Sequence, residues 1–123
     1  MALDRILVVD DTPIIRKSLE ERLRGKRFSV STAGSIAEAE KRLAANNFDL
    51  IFLDMELPDG DGRFFIERMS HSEAKPLVVM ITANGSVESV VECIRSGAFD
   101  YVTKPFSMTQ IDLVMKKASE FQR

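Results

Sequence analysis

The segments Ile6-Leu7-Val8-Val9-Asp10-Asp11 and Leu50-Ile51-Phe52-Leu53-Asp54 share one pattern, a run of four large apolar residues that stops at a carboxylate. A run this short and this apolar predicts a strand that is buried on both faces, as in a parallel sheet covered by helices. We therefore predict that both segments are central strands, and that the acidic residues after them lie at the carboxyl edge of the sheet.

Short apolar runs alternate with segments of helical spacing along the chain, five times in succession, which predicts an α/β fold. Ser35 followed by Glu38 is a capping-box pattern at a helix start, and Gly97 suits a helix end. The apolar residues Val87, Val90, Val91 and Ile94 predict that the fourth helix is amphipathic. The remaining predicted strands are residues 28–32, 77–81 and 99–102, and the predicted loop after the third strand is residues 55–62.

The composition excludes several classes of protein. The chain has 123 residues and a net charge of -2, which suits one domain over residues 1–123 and offers no field that would attract nucleic acid or an anionic membrane. A lone cysteine, Cys93, excludes an internal disulfide and a multi-cysteine metal site, and no apolar run is long enough to span a bilayer. We expect a cytoplasmic protein that contacts neither nucleic acid nor membrane, with the lone His71 at its surface.

Polar and charged residues follow four of the five predicted strands. They are Asp10 and Asp11, Asp54, Thr82 and Lys104. Ligands of open parallel sheets bind beyond the carboxyl ends of the strands, so these side chains are expected to form a site. Three carboxylates there would repel one another unless a cation neutralised them, and a few solvent-accessible oxygen ligands suit Mg²⁺. A carboxylate can attack phosphorus, and an ammonium and a hydroxyl nearby would stabilise the transferred group.

At these residues the sequence resembles the receiver domain of bacterial two-component response regulators, over essentially the entire chain. The matching stretches are Ile-Leu-Val-Val-Asp-Asp at residues 6–11, Asp-Met-Glu-Leu-Pro-Asp-Gly-Asp-Gly at 54–62, Ile-Thr-Ala at 81–83 and Gly-Ala-Phe-Asp-Tyr-Val-Thr-Lys-Pro-Phe at 97–106. The resemblance implies a flavodoxin-like, doubly wound sheet of five parallel strands in the order 2-1-3-4-5, with five flanking helices.

The resemblance also implies a role for each acidic residue of the site. Asp54 is expected to be the phosphoacceptor and a Mg²⁺ ligand. Asp11 is expected to bind Mg²⁺ directly, Asp10 through a water molecule, and Glu56 through its backbone carbonyl.

Further roles implied by the resemblance concern switching and lifetime. Thr82 is the expected switch hydroxyl, and Tyr101 is the aromatic residue whose rotamer is expected to follow the movement of Thr82. Lys104 is the expected ion-pair partner of the phosphoryl group. Glu56 and Asn84 are expected to flank the path of the hydrolytic water and to tune the phosphoryl lifetime. The bond between Lys104 and Pro105 is expected to be cis.

The function that follows is reception of a phosphoryl group from a sensor histidine kinase or a phosphotransfer protein. Such a domain catalyses only its own phosphorylation and dephosphorylation, and is not an enzyme for other substrates. The surface of the fourth helix, fifth strand and fifth helix would then control an output domain or a partner, with a phosphorylation-dependent homodimer as one form of that control.

Three other functions fit part of the pattern. A phosphohydrolase similar to the haloacid-dehalogenase-like enzymes would use Asp54 as nucleophile and Glu56 as general acid, but the chain offers no second domain to form a substrate pocket. A flavodoxin-like protein would bind FMN, but it needs a Ser/Thr/Gly-rich phosphate loop where this chain has carboxylates at residues 10–11. A receiver-like domain that is never phosphorylated is disfavoured because every expected active-site residue is present.

Overall fold

The computed structural model describes residues 3–69 and 75–121, so His71 lies outside the described residues. The strands are β1 (Arg5–Val9), β2 (Ser29–Ala33), β3 (Leu50–Asp54), β4 (Glu56–Leu57), β5 (Gly60–Asp61), β6 (Leu77–Thr82) and β7 (Asp100–Thr103). The helices are α1 (Pro13–Gly25), α2 (Ile36–Ala45), α3 (Gly62–Met69), α4 (Val87–Arg95) and α5 (Met108–Phe121). Among the described helices, none combines the length and apolar character needed to cross a bilayer.

Five of these strands form one parallel sheet in the order β2-β1-β3-β6-β7. Because β6 and β7 are the fourth and fifth strands of this sheet, the predicted order 2-1-3-4-5 and the α/β fold class are confirmed. The register pairs Val9 with Leu53 and Asp54 with Ile81, so β1, β3 and β6 end at the same edge.

The core lies on both faces of the sheet. In β3, Leu50 and Phe52 pack into one apolar cluster, whereas Ile51 and Leu53 pack into the other. All four side chains have no solvent exposure, which is the arrangement that an unbroken apolar strand predicts. The two clusters hold β3 rigidly up to its last residue, Asp54.

The predicted helix boundaries are confirmed at two points. The Ser35 hydroxyl accepts a hydrogen bond from the Glu38 amide at 3.2 Å and caps α2. Gly97 follows α4 with a φ of 112°, a left-handed conformation that glycine adopts without steric cost. The Lys104-Pro105 bond is cis, as expected.

The predicted loop over residues 55–62 contains a short antiparallel hairpin, formed by β4 and β5. Strands of two residues are too short to show any periodicity, which is why the sequence pattern missed them. The hairpin is held by Asp59, whose two carboxylate oxygens accept hydrogen bonds from the amides of Ile36 and Ala37 at 2.8 and 3.0 Å. These bonds hold the pKa of Asp59 below its usual value and tie the hairpin to the start of α2.

The fourth helix is present, but most of its apolar stripe faces outward. Val87, Val91 and Ile94 are 80%, 40% and 46% exposed, whereas Ser89 and Cys93 are buried. The Cys93 thiol lies 3.4 Å from the sulfur of Met55, the residue that directly follows Asp54. Helix α4 therefore packs on the sheet through small residues and presents an apolar surface to solvent.

Candidate functional site

Three carboxylates meet at the carboxyl edge of the sheet. Asp10 and Asp11 directly follow β1, and Asp54 is the last residue of the adjacent β3. One carboxylate oxygen from each of the three lies within 4.8 Å of the other two. Asp10 is fully buried and Asp54 nearly so, whereas Asp11 is exposed, so the cluster opens to solvent on the Asp11 side.

One ammonium group lies against two of these carboxylates. Lys104 follows β7, and its Nζ is 3.0 Å from Asp10 Oδ2 and 3.3 Å from Asp54 Oδ2. Burial alone would lower the pKa of Lys104, but the two carboxylates outweigh that effect and raise it. Lys104 therefore carries a positive charge at neutral pH, and the Asp10 and Asp54 carboxylates share it.

The chain also orients each buried carboxylate with a local amide. Asp10 Oδ1 accepts a hydrogen bond from the Thr12 amide at 2.9 Å, and Asp54 Oδ1 accepts one from the Glu56 amide at 3.1 Å. Asp10 Oδ2 is buried, and the Lys104 ammonium at 3.0 Å is its charged partner. Two fixed carboxylates thus direct their remaining oxygens into the same space.

The charge in this space is unbalanced toward the negative. Burial raises the pKa of Asp54, and the neighbouring Asp10 carboxylate adds to that increase. The Glu56 amide and the Lys104 ammonium lower the pKa of Asp54 but do not cancel the increase. An acidic, all-oxygen cluster in which one ammonium faces three carboxylates fits a hard divalent cation such as Mg²⁺, with Asp10, Asp11 and Asp54 as the available ligands.

Helix α3 begins in close contact with the end of β3. The Gly62 amide donates to the Met55 carbonyl at 2.9 Å. A Cβ atom at residue 62 would lie 2.7 Å from the Asp54 carbonyl oxygen, a distance that real Cβ atoms do not adopt. Glycine at this position therefore lets the hairpin return beside Asp54 without displacing it.

The Thr82 hydroxyl is engaged within its own loop. Its Oγ1 accepts a hydrogen bond from the Asn84 amide at 3.0 Å and donates to the Asn84 carbonyl at 3.2 Å. Thr82 ends β6 and pairs in register with Thr103, one residue before Lys104. Tyr101 lies on β7, two residues before Thr103, and is 36% exposed.

The sequence from residue 6 to residue 116 matches the family described as Response regulator receiver domain. The chain belongs to this family. The expected resemblance is therefore confirmed, and the chain is a receiver domain, the signalling domain of response regulators.

Known relatives agree with this assignment. The receiver domain is 36% identical over 111 residues to the response regulator protein PilR of Pseudomonas aeruginosa, which covers 90% of this chain and 25% of PilR. It is 33% identical over 121 residues to the regulatory protein AtoC of Escherichia coli, which covers 98% of this chain and 26% of AtoC. The chain thus spans about a quarter of the length of these curated relatives.

Solved structures show the same fold. The beryllofluoride-activated NtrC4 receiver domain dimer is 38% identical, with a TM-score of 0.89 over 97% of this chain and 98% of that chain. The receiver domain of the Francisella response regulator 1452 is 25% identical, with a TM-score of 0.90 over 98% of this chain and 99% of that chain.

The structure brings most of the predicted site residues of this receiver domain to one edge of the sheet. Asp10, Asp11, Asp54 and Lys104 form one cluster, and Thr82 ends the adjacent strand. The three others lie outside the cluster: the exposed Glu56 begins β4 just after Asp54, the exposed Asn84 lies on the loop after Thr82, and Tyr101 lies on β7.

Sequence reasoning missed Arg16, whose Nη1 donates to the Asp10 backbone carbonyl at 2.7 Å. An arginine in the first turns of a helix is usually read as a solvated charge. The one available signal was its position, six residues after Asp10 on the helix that follows that strand end.

Proposed function

We propose that this receiver domain accepts one phosphoryl group on Asp54 in a Mg²⁺-dependent reaction, and that the modified state changes the surface formed by α4, β7 and α5. The observation that carries the proposal is the convergence of the almost fully buried Asp54 with Asp10, Asp11 and the Lys104 ammonium. The donor is a sensor histidine kinase or a phosphotransfer protein. Residues 1–123 act as one domain of a cytoplasmic signalling protein, and the domain catalyses only its own phosphorylation and dephosphorylation.

The chemistry divides among the residues of the cluster. A carboxylate oxygen of Asp54 forms a bond to phosphorus while the bond between phosphorus and the donor nitrogen breaks. Lys104, already beside Asp54, binds the added charge, and the Thr82 hydroxyl turns from its own loop to donate to a phosphoryl oxygen. Glu56 and Asn84 flank the path of the water that later hydrolyses the acyl phosphate.

Mg²⁺ supplies neutralisation of the carboxylate and phosphoryl oxygens when it is bound. Asp11, Asp54 and the Glu56 backbone carbonyl would hold it directly, and Asp10 through a water molecule. Two facts support this division. Asp11 is exposed at the open side of the cluster, whereas Asp10 is fully buried and is already bound by Thr12 and Lys104.

Intact-mass spectrometry after incubation with acetyl phosphate and Mg²⁺ tests the proposal directly. We expect one phosphoryl group per chain, stable in acid and labile in base, with peptide mapping placing it on Asp54. Modification at another residue, or continuous hydrolysis of an added phosphomonoester, would contradict the proposal and favour the phosphohydrolase alternative.

Substitution of the two N-terminal acidic residues separates direct from water-mediated metal binding. Asp11→Ala is expected to weaken Mg²⁺ binding by about a hundredfold and Asp10→Ala by about tenfold, because outer-sphere partners contribute less than ligands. Calorimetric titration with Mg²⁺ measures both constants. Asp112→Ala, which removes a carboxylate paired with Arg22, serves as the control and should leave the constant unchanged. A larger effect at Asp10 than at Asp11 would reverse the two roles.

The proposed output surface has features that suit a partner or a second copy. Helix α4 starts shortly after Thr82 and exposes Val87, Val91 and Ile94, and α5 exposes Leu113. Exposed apolar residues that lie close together mark interaction sites in soluble proteins. The similarity to the dimeric, beryllofluoride-activated NtrC4 receiver domain supports a homodimer of the modified state as one form of output.

Beryllofluoride, which mimics the phosphoryl group, is expected to shift backbone NMR resonances of Tyr101 and of residues 88–95. When the Thr82 hydroxyl turns toward the added charge, it leaves space that the Tyr101 ring enters, and the altered contacts favour a second conformation of α4. Glu40, on α2, is the internal reference and should not shift. Shifts confined to residues that surround Asp54 would leave a phosphorylatable domain without the proposed switch.

A further inference from the structure

Arg16 binds the backbone at the end of β1. Its Nη1 donates to the Asp10 carbonyl oxygen at 2.7 Å, while the Asp10 amide donates to the Ala33 carbonyl at 3.1 Å. The Asp10 side chain is held separately, by Thr12 and by Lys104. The carbonyl that Arg16 binds belongs to the peptide unit between Asp10 and Asp11, so the guanidinium acts on the one peptide unit that joins two acidic residues of the site.

The neighbouring strand leaves room for this guanidinium. Gly34 directly follows β2, and a Cβ atom at that residue would lie 2.9 Å from Arg16 Nη1. Real Cβ atoms do not adopt so short a contact, so a side chain at residue 34 would force the guanidinium, the flexible end of Arg16, to shift from its place beside Asp10. Gly34 and Arg16 thus form one local arrangement, in which the absence of a side chain on one residue lets the other reach the strand end.

We propose that Arg16 is a positioning residue of the metal site: by fixing the peptide unit between Asp10 and Asp11, it holds the exposed Asp11 carboxylate in place for Mg²⁺. This inference rests on the proposed role of Asp11 as a direct ligand. Without the bond, the first residues beyond β1 would sample more conformations, and ordering them would lower the metal affinity.

The sign of the effect separates positioning from simple electrostatics. A guanidinium repels Mg²⁺, so removal of its charge alone would strengthen metal binding. Loss of the contact that positions the Asp10-Asp11 peptide unit would instead weaken Mg²⁺ binding. We therefore expect Arg16→Met, which keeps a long apolar stem, to weaken Mg²⁺ binding by about tenfold. Gly34→Ala keeps the charge and displaces the guanidinium, and should weaken binding by a few-fold.

The chain provides a matched control for each variant. Arg24 lies on the same helix, and its Nη2 donates to the Val30 carbonyl at 2.9 Å, also six residues away, but on β2 and away from the cluster. Gly25 has no atom within 4 Å of the position that a Cβ would occupy. Arg24→Met and Gly25→Ala should therefore keep the wild-type Mg²⁺ affinity.

The experiment is calorimetric titration of the five proteins with Mg²⁺, together with thermal unfolding in EDTA to verify that each is folded. Weaker binding in both Arg16→Met and Gly34→Ala, with both controls unchanged, supports the inference. Unchanged or tighter binding in either of the two variants overturns it, as does an equal loss in Arg24→Met. A wild-type chain that binds no Mg²⁺ would overturn the metal site itself, whereas wild-type binding that Arg16→Met leaves intact overturns only the role of Arg16.

Discussion

Asp54→Asn is expected to abolish phosphoryl incorporation completely. The carboxamide has nearly the shape of the carboxylate, but it offers no anionic oxygen to attack phosphorus. The variant should remain folded, because Asp10 and Asp54 share one ammonium in the wild-type chain and the substitution removes one of these like charges. Intact-mass spectrometry after treatment with acetyl phosphate and Mg²⁺ measures the loss.

The control for this loss is Asp61→Asn, in the hairpin that follows Asp54. Asp61 forms an ion pair with Arg63 at 2.8 Å and lies outside the carboxylate cluster. This variant should therefore still gain one phosphoryl group. Thermal unfolding in EDTA verifies the folding of both variants. An Asp54→Asn chain that gained the same mass as the wild type would remove Asp54 from its proposed role.

Much of the fold and of the cluster could be predicted because both depend on local patterns. The runs at residues 6–9 and 50–53 identify central strands, and residues that end parallel strands meet at one edge whatever their separation in sequence. Asp54 and Lys104 are 50 positions apart, yet their side chains lie 3.3 Å from each other. The strand order required the family resemblance, because apolar runs show that a strand is buried but not which strands are its neighbours.

The orientation of α4 could not be predicted in the same way. Periodicity identifies an apolar face, but it does not say whether the protein's own core or another molecule covers that face. The small residues Ser89 and Cys93 occupy the buried side, because Met55 already fills the space beneath the helix. The outward apolar residues on α4 therefore became visible only when the packing was known.

Arg16 and Asp59 illustrate a second limit of sequence patterns. Each is a charged side chain that binds backbone groups of an adjacent segment, Arg16 at the end of β1 and Asp59 at the start of α2. Charged residues on helices and turns are usually solvated, so their types carry no signal of such a bond. Contacts of this kind depend on the distance between two elements, which is fixed by tertiary packing.

Lys104→Met is expected to make the stability of the receiver domain strongly dependent on Mg²⁺. Its ammonium is the one cation within 3.3 Å of the buried Asp10 and Asp54 carboxylates among the described residues. Removing one partner from buried ion pairs leaves uncompensated charge, which would lower the free energy of unfolding by up to about 3 kcal/mol in the absence of metal. A divalent cation restores positive charge at the same carboxylates, so saturating Mg²⁺ should recover most of the loss. Thermal unfolding in EDTA and in Mg²⁺ measures both quantities.

The matched control for this prediction is Lys117→Met. Lys117 pairs with Asp100 at 3.6 Å on the outside of the domain, where its side chain is 57% exposed, and exposed pairs contribute little to stability. The gain in unfolding temperature between EDTA and Mg²⁺ should therefore be larger for Lys104→Met than for the wild type, and equal to the wild type for Lys117→Met. Because a bound ligand stabilises a fold in proportion to the logarithm of its concentration over its dissociation constant, this larger gain also requires tighter Mg²⁺ binding by the Lys104 variant. Equal gains in all three proteins would mean that Lys104 and the metal do not neutralise the same carboxylates.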